Sequence, residues 1–98
     1  MPSPQEDVSS LKASMENFLL KPLPETMTEL ETEVTLIEAA QKRCDDMIRD
    51  LMSKEDAARE IFFPAEIHEL HQQKNMLETH REFRRVRMRR LRLEADMR

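Results

Sequence analysis

His68 and His71 stand three residues apart with Glu69 between them, and His80 follows downstream, so the first chemistry to weigh is a zinc site. A four-ligand site needs a second pair of donors, and the single cysteine, Cys44, lies far back in the chain. An i, i+3 histidine pair near a helix start therefore reads as a solvated pair. Cys44 falls on an apolar repeat, where a thiol acts as a small buried hydrophobe rather than a nucleophile. No nucleophile, base and orienting acid fall at spacings that build a catalytic set. The expectation is a non-enzyme with no catalytic residue, no metal, no cofactor and no small-molecule substrate.

The arginines carry a stronger signal. Seven of the twelve residues from Arg81 to Arg92 are arginine, in a chain whose net charge is −4. Residues 1–80 hold 17 acids against 8 bases, a net −9, whereas residues 81–92 hold 7 bases against 1 acid, a net +6. On a helix, at about 100° per residue, Arg81, Arg85, Arg89 and Arg92 fall within an arc of about 80° and form one basic ridge. Such a ridge suits nucleic acid, an anionic membrane surface or an acidic protein surface. Nucleic acid is the poorer fit: Phe83 is the segment's one aromatic, no zinc, RRM or basic-zipper signature accompanies it, and the basic part follows the heptads instead of preceding them. A membrane surface remains an alternative, since Phe, Val, Leu and Met occupy the other side of the segment, although no lipidation motif supports it. Charge pairing within the molecule or with a partner subunit is the expectation adopted.

The elements that must position these residues are helices. With 98 residues, 37% of them charged and 4% aromatic, the chain supplies one small unit and little material for a thick core. It contains no glycine, which removes tight hairpin turns and phosphate-cradling loops, and good helix formers dominate. The expected fold is all-α and elongated, a single unit over 1–98 of coiled-coil or helical-bundle type. It comprises a short amphipathic helix over 4–20, an acidic heptad helix over 24–60 and a basic helix over 64–96, bent near Pro64. Ser3, Pro4 and Glu6 form the first start signal, with Val8, Leu11, Met15 and Phe18 as its apolar stripe. Pro22 and Pro24 end it, and Pro24 or Thr26 with Glu29 starts the second helix.

In the second helix, Met27, Leu30, Val34, Ile37, Gln41, Cys44, Ile48 and Leu51 occupy consecutive a and d positions, with Gln41 alone polar. A chain this thin is expected to leave part of that seam uncovered, so Leu30, Val34, Ile37, Cys44, Ile48 and Leu51 are read as a partner interface, with Phe62 and Phe63 as a docking corner. A fold-back at Pro64 sets residue n against about 125 minus n, bringing Arg81–Arg92 opposite residues 44–33 with Glu33 and Glu38. No run reaches the roughly 20 apolar residues of a membrane span, and the first residues lack the basic start and apolar stretch of a secretory signal. The lone cysteine also favours a reducing compartment. Together these point to a cytoplasmic protein, with the periphery of organelle membranes and the nucleus left open.

Phe18-Leu19-Leu20-Lys21-Pro22, then a long acidic heptad helix, a proline break and a helix ending in Arg-Arg-Leu-Arg-Leu, resembles the snapin-like small subunits of complexes acting on lysosomes and lysosome-related organelles. The resemblance spans residues 16–93 and departs from the pattern at Phe62-Phe63-Pro64 and in the clustering of its arginines. It implies a non-catalytic coiled-coil subunit of a hetero-oligomeric complex that scaffolds other helical subunits in organelle positioning or trafficking. Small helical subunits of kinetochore, tethering or ciliary transport complexes share the same gross shape and stand as an alternative.

Overall fold

The structure, a computed structural model, describes residues 12, 13 and 15–97, so the start signal at Ser3, Pro4 and Glu6 and the stripe residues Val8 and Leu11 lie outside the described residues. Helix α1 covers 15–19, with 12 and 13 also helical, and ends where the Leu20 amide donates to the Glu16 carbonyl at 3.1 Å. Helix α2 spans Met27–Lys54 and helix α3 spans Pro64–Asp96. The two long helices form an antiparallel hairpin, with overall extents of 65 × 20 × 16 Å. No strand occurs among the described residues.

Local chemistry sets each boundary. Thr26 is extended and its hydroxyl accepts the Glu29 amide at 3.3 Å, so α2 starts at this N-cap and not at Pro24. Glu29 in the first turn and Lys54 in the last both complement the helix dipole. Helix α2 then ends six residues before the expected position 60. Asp56 is the cause: its carboxylate accepts the amides of Ala58 at 3.0 Å and Arg59 at 3.4 Å, which starts a separate 3-10 turn over Ala57–Arg59. Asp56 and Ile61 exchange both backbone hydrogen bonds at 2.9 Å, and the Glu55 carboxylate accepts the Phe63 amide at 3.1 Å. Pro64 then opens α3 at a position where its missing N–H is not needed.

This connector turns through Glu60, which sits at φ 56°, ψ 39°. The left-handed region costs an L-residue about 1 kcal/mol, and no glycine was available to relieve it. Glu60→Gly is therefore expected to stabilise the hairpin by about 0.5 kcal/mol, the relief being partly offset by the greater freedom of glycine in the unfolded chain. A rise in the urea midpoint at unchanged helical content would show it.

The early end of α2 also moves the pairing register. Lys74 meets Asp45 at 2.6 Å, Gln41 donates to Glu78 at 2.9 Å, Arg81 approaches Glu38 at 3.8 Å and Arg84 meets Glu33 at 2.8 Å. Partner numbers add to 119 in the first three pairs and 117 in the fourth, where the sequence suggested about 125. Residues expected to extend α2 form the connector instead, and the shift of about two helical turns follows.

In this register the heptad seam closes within the chain. Leu30, Ile37 and Cys44 are fully buried, as are Leu70 and Leu77 of α3, and Val34, Ile48 and Leu51 are nearly so. Met15, Phe18 and Leu19 of α1 pack on the same core, as do Met47, Phe63 and Ile67. The expectation that a thin chain must leave this seam open is thus corrected: its apolar residues from Leu30 to Leu51 are buried, with α3 packed against α2 and residues of α1 packed against the shared core. Gln41, the polar member of the seam, is half-buried and satisfied by Glu78.

Candidate interaction site

The closed core removes Leu30, Val34, Ile37, Cys44, Ile48 and Leu51 from the accessible surface, so these six hold the hairpin together and present no open face. Burial raises the pKa of the Cys44 thiol, with Asp45 adding to the effect, which keeps it protonated and inert. The Phe62–Phe63 corner divides. Phe63 turns inward against the core, whereas Phe62 remains 54% exposed, and Met52 near the end of α2 and Ile61 in the connector are exposed too.

The arginine segment is divided more sharply, because α3 has a side facing α2, a side facing α1 and a side facing solvent. Arg84 is the buried one, 1% exposed. Its Nε donates to the Glu33 carboxylate at 2.8 Å, its Nη1 to the His80 carbonyl at 2.8 Å, and its guanidinium lies 5.4 Å from the centre of the Phe18 ring. One side chain thereby joins α1, α2 and α3. Arg87 extends the arrangement by donating to the carbonyls of Leu23 and Pro24 at 3.3 and 3.4 Å, in the proline-rich link between α1 and α2. Lys12 adds an ion pair with Glu69 at 3.0 Å, which raises the lysine pKa and lowers that of the carboxylate.

The expected ridge of Arg81, Arg85, Arg89 and Arg92 therefore does not act as one unit. Arg81 alone reaches α2, at Glu38, and also binds Glu78 at 3.0 Å. Arg89 pairs with Glu82 of its own helix at 3.1 Å. Arg85, Arg90 and Arg92 are exposed, and the charge of Arg85 helps to hold the Glu78 carboxyl below its ordinary pKa, after the hydrogen bonds from Gln41 and Arg81. Arg85, Arg89 and Arg92 do come together with Met88 around an open hollow of about 350 Å³.

Sequence reasoning missed Arg84 and Arg87, although a signal for Arg84 was present. Leu70, Leu77, Arg84 and Leu91 recur every seven residues, and this row faces α2, so Arg84 stands where a leucine would otherwise be. Burial, followed by the charge of Arg84, lowers the pKa of nearby His80, whose ring meets Phe83 edge-on at 5.6 Å. The unfolded chain takes up this proton near pH 6.5 and the folded chain resists it, so the contribution to stability is full above that pH and declines below it. Urea midpoints at pH 7.5 and 5.5 should differ in the native chain, and His80→Gln should narrow the difference.

His68 and His71 are exposed on the first turns of α3, and among the described residues no group of three or more His, Cys, Asp or Glu side chains is placed to hold a metal ion. No helix among the described residues is long and apolar enough to cross a membrane. Comparison with known proteins adds no family: no protein-family model matches the chain, and no curated protein or solved structure matches it significantly.

Proposed function

We propose that this chain is a non-catalytic helical subunit of a hetero-oligomeric complex, and that it docks other helical proteins on the outside of a hairpin that is already folded. The observation that carries this reading is the residue of exposed apolar surface left after the core has closed. Phe62, Met52, Leu36, Phe83 and Leu93 are each more than half exposed although, among the described residues, nine apolar side chains are buried. Leaving such side chains in water forfeits about 1.5–3 kcal/mol each relative to burial, and a partner helix would recover it. The rod-like extents and the long paired helices suit scaffolding better than enclosure of a substrate. The order of elements shared with snapin-like subunits points to organelle positioning or trafficking, in the cytoplasm or at the periphery of organelle membranes.

Affinity purification of the tagged chain with mass spectrometry tests the reading. Stoichiometric recovery of helical subunits, lost when Phe62 and Leu93 are both replaced by serine, is the expected result. Recovery of the chain alone under gentle crosslinking contradicts it.

A further inference from the structure

Helix α3 gathers three guanidinium groups around one hollow. Arg85, Arg89 and Arg92, with Met88 among them, line an open cavity of about 350 Å³. These positions fall within about 100° of the helix circumference and about 10.5 Å along its axis, so the three arginines share one face. No carboxylate of the described residues lines the hollow. Acids on neighbouring turns are engaged beside it: Glu78 by Gln41 and Arg81, with the charge of Arg85 acting on it as well, and Glu82 by Arg89. The Glu82–Arg89 pair is more than half exposed on both sides, so it contributes little and gives way to a stronger acceptor. On α2, Glu33 and Glu38 are taken by Arg84 and Arg81.

We propose that this hollow is a binding site for a compact anion bearing two or more phosphate groups, of the inositol polyphosphate type, met either free or as a lipid headgroup. The donors select this class. Each guanidinium offers a planar fork of N–H groups that fits two phosphate oxygens at once, and three forks within two turns exceed what one carboxylate can accept. A volume of about 350 Å³ stands at the low end of small-ligand sites, so the hollow suits one headgroup and not a long polymer. The net +6 of residues 81–92, set in an otherwise acidic chain, draws such an anion to this part of the molecule. RNA fits less well. Phe83, the segment's one aromatic, lies about 160° around the helix from Arg85, so bases would find no ring to stack on beside the phosphates.

Isothermal titration of the full chain with inositol hexakisphosphate is expected to show one site with a Kd below about 100 µM. Arg85→Gln combined with Arg92→Gln should weaken binding at least about tenfold, and Arg85→Lys with Arg92→Lys by about threefold, because lysine keeps the charge and loses the fork. Glu82→Gln should tighten it by about twofold through the release of Arg89. Arg90→Gln is the control: it removes a charge about 140° around the helix from Arg85 and should change binding by less than about twofold. All four positions are exposed, so circular dichroism should show unaltered melting in every variant. Vesicles containing phosphatidylinositol 4,5-bisphosphate locate the source. Tighter binding to them than to inositol hexakisphosphate assigns a lipid headgroup, and the reverse assigns a soluble anion. No binding to either up to about 1 mM, an equal loss with Arg90→Gln, equal binding to phosphatidylserine vesicles of matched charge, or a preference for single-stranded RNA overturns the proposal. Each of these results leaves the subunit reading standing, since that reading fails only where no partner chain is recovered.

Discussion

Arg84→Ala is expected to cost the isolated chain about 3–5 kcal/mol of stability, because the change strands the Glu33 carboxylate, which is only about one-fifth exposed, and opens the junction of three helices. For a chain of this size that is a fall in melting temperature of roughly 15 °C or more. Arg84→Met combined with Glu33→Met should restore stability to within about 1 kcal/mol of the native value, since removing both charges leaves no buried ion without a partner. The pair of results separates the two roles of this site. A large effect of the single change with rescue by the double change means that the ion pair specifies how the helices meet more than it strengthens them. A single change costing under about 1 kcal/mol would mean that Arg84 lies in solvent. Thermal melts of the four variants in the cycle decide between them.

Leu77→Ala is expected to cost about 2–5 kcal/mol, the range for truncating a fully buried leucine. Leu77 sits in the same core as Ile37, Ala40 and Cys44, so the cavity opens in the middle of the rod, where neither end of the hairpin can collapse to fill it. Leu93→Ala, on the outer face of the same helix, should change stability by less than about 0.5 kcal/mol. A comparable loss at both positions would mean that α3 packs with a different face toward α2. Urea denaturation with a common m-value is the appropriate readout, because it distinguishes lost stability from loss of the compact state.

Much of this architecture was legible in the residue order, and the failures have physical causes. The cap at Thr26, the proline start of α3 and the seam from Leu30 to Leu51 could all be read, because each depends on residues within a few positions of one another. The end of α2 could not. Lys54, Glu55, Ala57, Ala58 and Arg59 are good or adequate helix formers with no glycine or proline among them, so local propensity carries the helix onward. It stops because Asp56 caps a new turn and Glu55 reaches forward to Phe63, contacts that exist only once the chain has reversed. The register error followed directly from that boundary.

The arginine segment was read by its charge, which found the exposed side of α3 and overlooked the buried one. A sevenfold recurrence of leucine interrupted by Arg84 marked a core position, but recognising it required treating an arginine as part of a seam. The acidic complement was foreseen correctly at Glu33 and Glu38, although Arg84 and not the outer ridge engages Glu33. The larger miss was the inference that the seam needs another chain. It treated α2 as a single helix in search of a partner, whereas α3 lies alongside it and Met15, Phe18 and Leu19 of α1 pack on the same core.

The central claim is that the hairpin closes its own core and meets its partners on the outside. Thermal unfolding of the isolated chain, followed by circular dichroism from about 1 to 100 µM with sedimentation at the same concentrations, tests it most directly. A monomer with one cooperative transition at a concentration-independent temperature is the predicted result. A melting temperature that rises with concentration, or a chain that is helical only when associated, would contradict it.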